Sequence, residues 1–317
     1  MSPGQDRGRS AASPNEIPVL GWKDILLRVW NGLTEHRVVL IAGGASFFLL
    51  LSLFPAISAF VSIYGLFFNP RTAVEQVTAL DPVLPEGASR IIRERLHQLT
   101  SQSKGALTLR LVAGALFAFW GANKGVKAIF DAINVAYGEK EKRSFLYLNV
   151  IASLFTIGAI VTSLVLISTV NIVPVLIGSF DLAWSLEIGL SASRWIALVA
   201  LLSVGLSLLY RYGPSRRPAR WLWITWGGGL AATVWVAASA GFSFYLRNFA
   251  GLDAIYGSLG AIVALLVWIW ISVFIVIVGA MINAEMEHQT RRDTTVGVPR
   301  PEGQRGAIVA DSSGPPT

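Results

Sequence analysis

Four stretches of the chain run far longer without a charge than a soluble helix needs. Residues 38–70, 144–180, 221–246 and 254–284 hold 33, 37, 26 and 31 residues with no Asp, Glu, Lys or Arg. A helix rises about 1.5 Å per residue and a bilayer core is about 30 Å thick, so about 20 apolar residues cross it. Each stretch is long enough. Only 14% of the chain is charged and 53% is hydrophobic, whereas a soluble domain carries charge on roughly a quarter of its residues. The expected fold is therefore all-α, a polytopic membrane protein.

Several kinds of chemistry are disfavoured at once. Cysteine is absent, which removes disulfides and thiolate metal sites. His36, His97 and His288 lie far apart among polar residues, without metal-binding spacing, so neither a metal nor a cofactor is expected. Paired carboxylates, a Ser–His pair and a phosphate-binding glycine loop are missing from the pattern, and no enzyme is predicted. The net charge of +7 is read as basic residues gathered on the cytoplasmic side, not as a nucleic-acid surface.

Counting charges sets the number of spans. Residues 195–210 are uncharged between Arg194 and Arg211, and extending them back to 189 gives a workable span with Arg194 snorkelling outward. Residues 111–123, between Arg110 and Lys124, are too short alone. Six spans with the N-terminus inside place 18 Lys and Arg in the cytoplasm against 7 outside. Omitting the second span with the N-terminus still inside leaves 7 inside against 19 outside. Basic residues favour the cytoplasmic side, so six spans with both termini cytoplasmic are expected.

These spans are about 38–68, 105–123, 146–173, 189–210, 221–246 and 256–284, within a membrane domain of residues 19–290. Arg110 lies close enough to the outer end of the second span to reach the surface. Trp120, Trp221, Trp223 and Trp226 fall near the inner interface, and Trp184 and Trp195 near the outer one. The first apolar block is too long for a signal-peptide core, so no cleavable signal peptide is expected. Residues 1–18 and 291–317, rich in Pro, Gly and polar groups, are expected to be disordered tails.

Between the spans, residues 19–37 read as an amphipathic interfacial helix. Trp22, Ile25, Leu26, Val29, Trp30 and Leu33 recur at helical spacing, and Lys23, Asp24, Arg28 and Glu35 fill the gaps. The outer segment 69–104 carries a second apolar stripe around Ile91, Ile92 and Leu96 and is expected to cap the bundle. Small residues such as Ala42 to Ala45 and Gly227 to Gly229 mark close helix contacts. Pro55 removes a backbone donor and is expected to kink the first span.

The stretch GANKGVKAIFDAINVAYG, residues 121–138, is the most polar part near a span. On a helix, Lys124, Lys127, Asp131 and Asn134 fall within about 80° of one another. With Asn123, and with Asn283 and Glu285 at the end of the last span, they form the candidate functional collar. Glu285 is expected to pair with Lys124 or Lys127. The alternative is a solvated face that meets only water.

Three motifs carry a family resemblance. They are Ala45-Ser46-Phe47-Phe48 through Ser52-Leu53-Phe54-Pro55, Ala122-Asn123-Lys124-Gly125 through Ala132-Ile133-Asn134-Val135-Ala136-Tyr137, and Tyr256-Gly257-Ser258-Leu259-Gly260 through Asn283-Ala284-Glu285. In this order they resemble the YihY/BrkB family of bacterial inner-membrane proteins over residues 22–288. The resemblance implies six membrane helices in the bacterial cytoplasmic membrane and a link to envelope integrity. It also brings a ribonuclease BN-like label, which no catalytic pattern in these residues supports. The expected activity is transport or lipid handling, with a non-transporting envelope factor as the alternative. Membrane lipids are the expected partners. A hydrophobic or amphipathic substrate and a homo-oligomer are compatible with the sequence, and nucleic acid is not expected.

Overall fold

The structure is a computed structural model that describes residues 7–67, 104–178, 184–248 and 256–315. The expected outer stripe lies outside these residues, as do the side chains of Arg110 and Arg194. Eight α-helices are present among the described residues: α1 Val19–Glu35, α2 Val38–Phe67, α3 Lys104–Ala136, α4 Phe145–Gly178, α5 Trp184–Tyr212, α6 Trp221–Asn248, α7 Gly260–Gln289 and the short α8 Ile308–Asp311. The described residues contain no strand, only one isolated antiparallel bridge between Ala219 and Thr295.

Five helices carry segments long and apolar enough to cross a membrane: Val38–Ala56, Phe145–Thr162, Trp195–Tyr212, Trp221–Asn248 and Gly260–Gln289. Their surfaces agree. Leu146, Leu154, Ile157, Val204, Leu222 and Phe244 all stand at least half exposed. An apolar surface this extensive on several helices is suited to lipid and costly in water. Pro55 lies inside the continuous helix α2.

The chain folds as two compact units. Unit 1 comprises residues 1–44, 126–248 and 270–317, and unit 2 comprises 45–125 and 249–269. In unit 2, α2 and α3 approach closely. A Cβ at Gly121 would sit 2.8 Å from the Ser52 Cβ, and one at Gly125 would sit 2.6 Å from Leu49 Cδ2. The two glycines are four apart and line one seam, the small-xxx-small geometry that lets helices touch. The opening residues of GANKGVKAIFDAINVAYG thus serve packing, and two family motifs meet there.

In unit 1, α6 packs against α5, and α4 also packs against α5. Gly228 faces Ser207 Oγ, where a Cβ would come within 2.3 Å. Gly43, Gly44 and Gly229 have nothing within 4 Å, so only some of the expected small-residue contacts form. The core gathers Ile133, Tyr137, Tyr210, Ile224, Ala280, Ala284 and Val309. A second cluster forms around Phe130, which meets Phe155 edge-on at 5.4 Å.

One helix runs through Lys124 without interruption, whereas the sequence suggested a span ending there and a separate surface helix. It stops where Gly138 turns left-handed at φ 64°. The Gly138 N–H then reaches the Val135 carbonyl and the Glu139 N–H the Asn134 carbonyl. Those are the two bonds of a Schellman ending, which needs a residue tolerant of positive φ.

The terminal segments correct the expectation of disordered tails. Residues 7–17 and 290–315 are folded into unit 1. Ala11, Ile17, Thr294, Thr295 and Arg305 are buried. The Arg291 N–H bonds the Arg9 carbonyl at 2.9 Å, and the Thr290 hydroxyl donates to the Ala11 carbonyl at 2.7 Å. The Arg305 guanidinium donates to the carbonyls of Arg291, Arg292, Arg300 and Ala310. Composition suggested disorder because apolar residues are few, but one buried arginine satisfies four backbone acceptors, and Ala307, Val309 and Ala310 are buried beside it.

Candidate functional site

The charged end of α7 splits its polar residues between two faces. Asn283 and Glu287 are four apart and share one face, while Glu285, His288 and Gln289 point away from it.

On the first face, Asn283 is fully buried. Its Oδ1 accepts the Gly227 N–H at 2.9 Å and its Nδ2 donates to the Ile224 carbonyl at 3.1 Å. Gly227 is required there, because a Cβ would lie 2.3 Å from Asn283 Oδ1. Glu287 is 0% exposed and pairs with Arg216, 1% exposed, at 2.5 Å. The Thr294 hydroxyl donates to the other Glu287 oxygen at 2.7 Å. The Arg216 guanidinium lies 4.2 Å from the centre of the Tyr137 ring. Burial opposes the Arg216 charge, but the facing Glu287 carboxylate outweighs it and holds the pKa above the usual arginine value. Burial likewise raises the Tyr137 phenol, against the pull of Arg216, so Tyr137 is neutral.

On the second face, Arg28 of α1 bonds Glu285 at 2.5 Å, Gln289 Oε1 at 2.7 Å and the Pro315 carbonyl at 3.1 Å. His288 Nδ1 is 3.6 Å from Glu285, and its Nε2 is 3.2 Å from the Ser312 hydroxyl. Serine, histidine and carboxylate thus follow one another as in a hydrolase. Here, however, Ser312 donates to the Ile308 carbonyl at 2.9 Å and Arg28 occupies the carboxylate. The set clasps the C-terminal segment to α7.

Within unit 1, the predicted collar residues Lys127, Asn134, Asn283 and Glu285 take separate partners. Asn134 is buried and binds the loop after α5: its Oδ1 accepts the Ser215 N–H at 2.7 Å, and its Nδ2 reaches Glu141 at 3.2 Å. Lys127 donates to Asn149 of α4. Asp131 stays on the surface. Partial loss of hydration, then the charge of Glu141, raise its pKa. Asn123 is buried in unit 2. Lys124 is exposed, with its ammonium over the Trp120 ring at 6.0 Å. The expected pairing of Glu285 with Lys127 is corrected, since within unit 1 Glu285 takes Arg28 and His288. The helical phase explains this: α1 lies against the face of α7 that carries Glu285.

The residues that sequence reasoning missed are Arg28, Arg216, Glu287, Thr294 and Tyr137. One signal was present. Glu287 follows Asn283 by one helical turn, and the loop 211–220 carries four arginines. They entered the reading only as a topology signal, because a sequence does not say which acid a loop arginine will meet.

The family model described as virulence factor BrkB matches residues 29–302. The chain is 30% identical over 271 residues to the ribonuclease-like protein YfkH of Bacillus subtilis (strain 168), covering 82% of this chain and 94% of that protein. It is 26% identical to the UPF0761 membrane protein Bxeno_A3061 of Paraburkholderia xenovorans (strain LB400), covering 80% of this chain and 57% of that protein. Against the UPF0761 membrane protein azo3165 of Azoarcus sp. (strain BH72), identity is 26%, with 83% and 64% covered. The chain therefore spans little more than half the length of some of these relatives. No solved structure matches it.

Proposed function

The chain belongs to the virulence factor BrkB family, and from that premise we propose that it is a bacterial inner-membrane protein that handles lipid. Six spans place both termini in the cytoplasm, with α3 as the sixth beside the five apolar helices. The charge count supports this arrangement.

The observation that carries the reading is α1. Its charged residues Asp24 and Arg28 turn inward to Arg7 and Glu285. Its apolar residues Val19, Leu26 and Trp30 turn outward, and Trp30 is 71% exposed. Ile25 and Val29 are buried on the inner side, so α1 carries apolar residues on both faces, whereas a helix at a water surface keeps its outer face polar. Lipid beside α1 explains the exposed apolar set, and the apolar grooves along the helix open onto that side. The charged end of α7, meanwhile, is packed by both terminal segments.

Reconstitution into liposomes tests this function. The protein should change the rate at which labelled phospholipid crosses or leaves the bilayer, and an unchanged rate would count against it. The rival is an envelope factor that acts by binding partner proteins. The ribonuclease label in the name of the Bacillus subtilis relative is not carried over. Purified protein should leave RNA intact, and RNA cleavage that tracks the protein through purification would overturn that.

A further inference from the structure

The corner between α1 and α2 is made by a single left-handed residue. Arg37 has φ 50°. Its N–H ends α1 on the Thr34 carbonyl, and its own carbonyl accepts the first bonds of α2 from Leu40 and Ile41. Beside this corner lies a groove of about 470 Å³ lined by Trp30, Leu33, Thr34, Arg37, Val39 and Leu40. Its walls are apolar, with Trp30, Val39 and Leu40 more than half exposed. Its one charge is a guanidinium. No described residue accepts a hydrogen bond from the Arg37 side chain, and the same holds for Lys23 in the neighbouring groove.

Charge and continuity identify the occupant. The acids of α1 are turned elsewhere: Asp24 is bound by Arg7, and Glu35 projects about 140° from Trp30 by helical phase. The outward side of α1 is thus apolar and purely cationic. It continues into the exposed apolar start of α2, where Val39 and Leu40 open the first candidate span. A partner here must offer an acyl chain and a negative group at the same depth.

We propose that this groove seats a phospholipid of net negative headgroup charge. Its phosphate lies on the Arg37 guanidinium and its acyl chain lies against Trp30, Val39 and Leu40. The assignment rests on the membrane reading above and names the lipid class and the residue that selects it.

The test uses the full chain in nanodiscs of phosphatidylglycerol or of phosphatidylcholine, with retained lipid counted by native mass spectrometry. Wild type should retain phosphatidylglycerol about fivefold over phosphatidylcholine, the effect of one cation at an anionic surface. Arg37→Gly should abolish the preference, and Arg37→Lys should keep most of it. Glycine adopts positive φ freely, so Arg37→Gly should unfold at the same or a higher temperature, which separates lost binding from lost folding. Equal retention of the two lipids, or an unchanged preference in Arg37→Gly, would overturn the proposal. So would displacement of the retained lipid by soluble glycerol phosphate, since a headgroup alone lacks the acyl contacts. Failure to enter nanodiscs would instead remove the membrane reading.

Discussion

Glu285 and Glu287 stand two residues apart on the same helix, and each meets an arginine at 2.5 Å. Distance does not distinguish the two pairs, but burial does. Arg216 and Glu287 are 1% and 0% exposed, while Arg28 and Glu285 are 9% and 22% exposed. The less buried pair can recover part of its hydration when a partner is lost. A dry pair cannot, because each ion left alone has lost its hydration and its counter-charge together. The first joins α1 to α7 and tolerates change. The second fixes where the loop after α5 and the C-terminal segment sit.

The largest expected effect follows from this difference. Glu287→Ala should cost about 3–5 kcal/mol of unfolding free energy in detergent, because Arg216 stays buried and uncompensated. Replacing both partners, as Arg216→Met with Glu287→Leu, should recover most of that loss. If the double variant were as unstable as the single one, the cost would lie in packing, and burial would not explain the contrast.

Next is the glycine beneath Asn283 on the same buried face. Gly227→Ala should destabilise by about 1–3 kcal/mol, because its Cβ would lie 2.3 Å from Asn283 Oδ1. Gly229→Ala, with nothing within 4 Å, should gain up to about 1 kcal/mol from helix propensity. Equal effects of the two changes, read from unfolding midpoints, would remove the claim that one glycine is a contact and the other is not.

A smaller loss is expected at the less buried pair, Arg28 with Glu285. Glu285→Gln should cost about 1–2 kcal/mol, between a surface pair and a buried charged hydrogen bond. Combined with Arg28→Ala it should be clearly less than additive. Combined with Lys127→Ala it should add within about 0.5 kcal/mol, since Lys127 bonds Asn149 of α4 while Glu285 bonds Arg28. Coupling between Glu285 and Lys127 would restore the collar that the sequence suggested.

The helices and their membrane character were legible because long uncharged runs have one physical solution in a bilayer. The seam at Gly121 and Gly125 was also visible as spacing, but the nearby lysines drew the chemical reading. The collar was legible only one helix at a time. Helical phase shows that Lys127 and Asp131 share a face, but not whether that face meets water, Asn149 or Glu285. The C-terminal segment was misread because composition measures apolar content, and this segment is held by backbone hydrogen bonds to Arg305 and by Asp293. The Asp293 carboxylate accepts from the Thr295 and Arg300 N–H groups. Burial works against its charge, and these bonds lower its pKa regardless.

The smallest expected effect concerns a third pair, Glu141 with Arg143 in the loop between α3 and α4, whose partners stand only two residues apart in the chain. Glu141 accepts from Arg143 at 2.6, 2.8 and 2.9 Å. Those hydrogen bonds lead in lowering its pKa from 4.5 to about 2, against a modest opposing effect of burial. A carboxyl whose pKa falls on folding binds its proton more readily when unfolded. Its contribution is therefore complete above pH 4.5 and fades as the pH falls towards about 2. Glu141→Gln should lower stability by less than about 1 kcal/mol near neutral pH, because partners two residues apart stay close in the unfolded chain as well. The gap to wild type should close as the pH approaches 2. A gap that stayed constant down to that pH would assign the loss to the Asn134 hydrogen bond, which a neutral side chain at 141 could also disturb, and not to the charge.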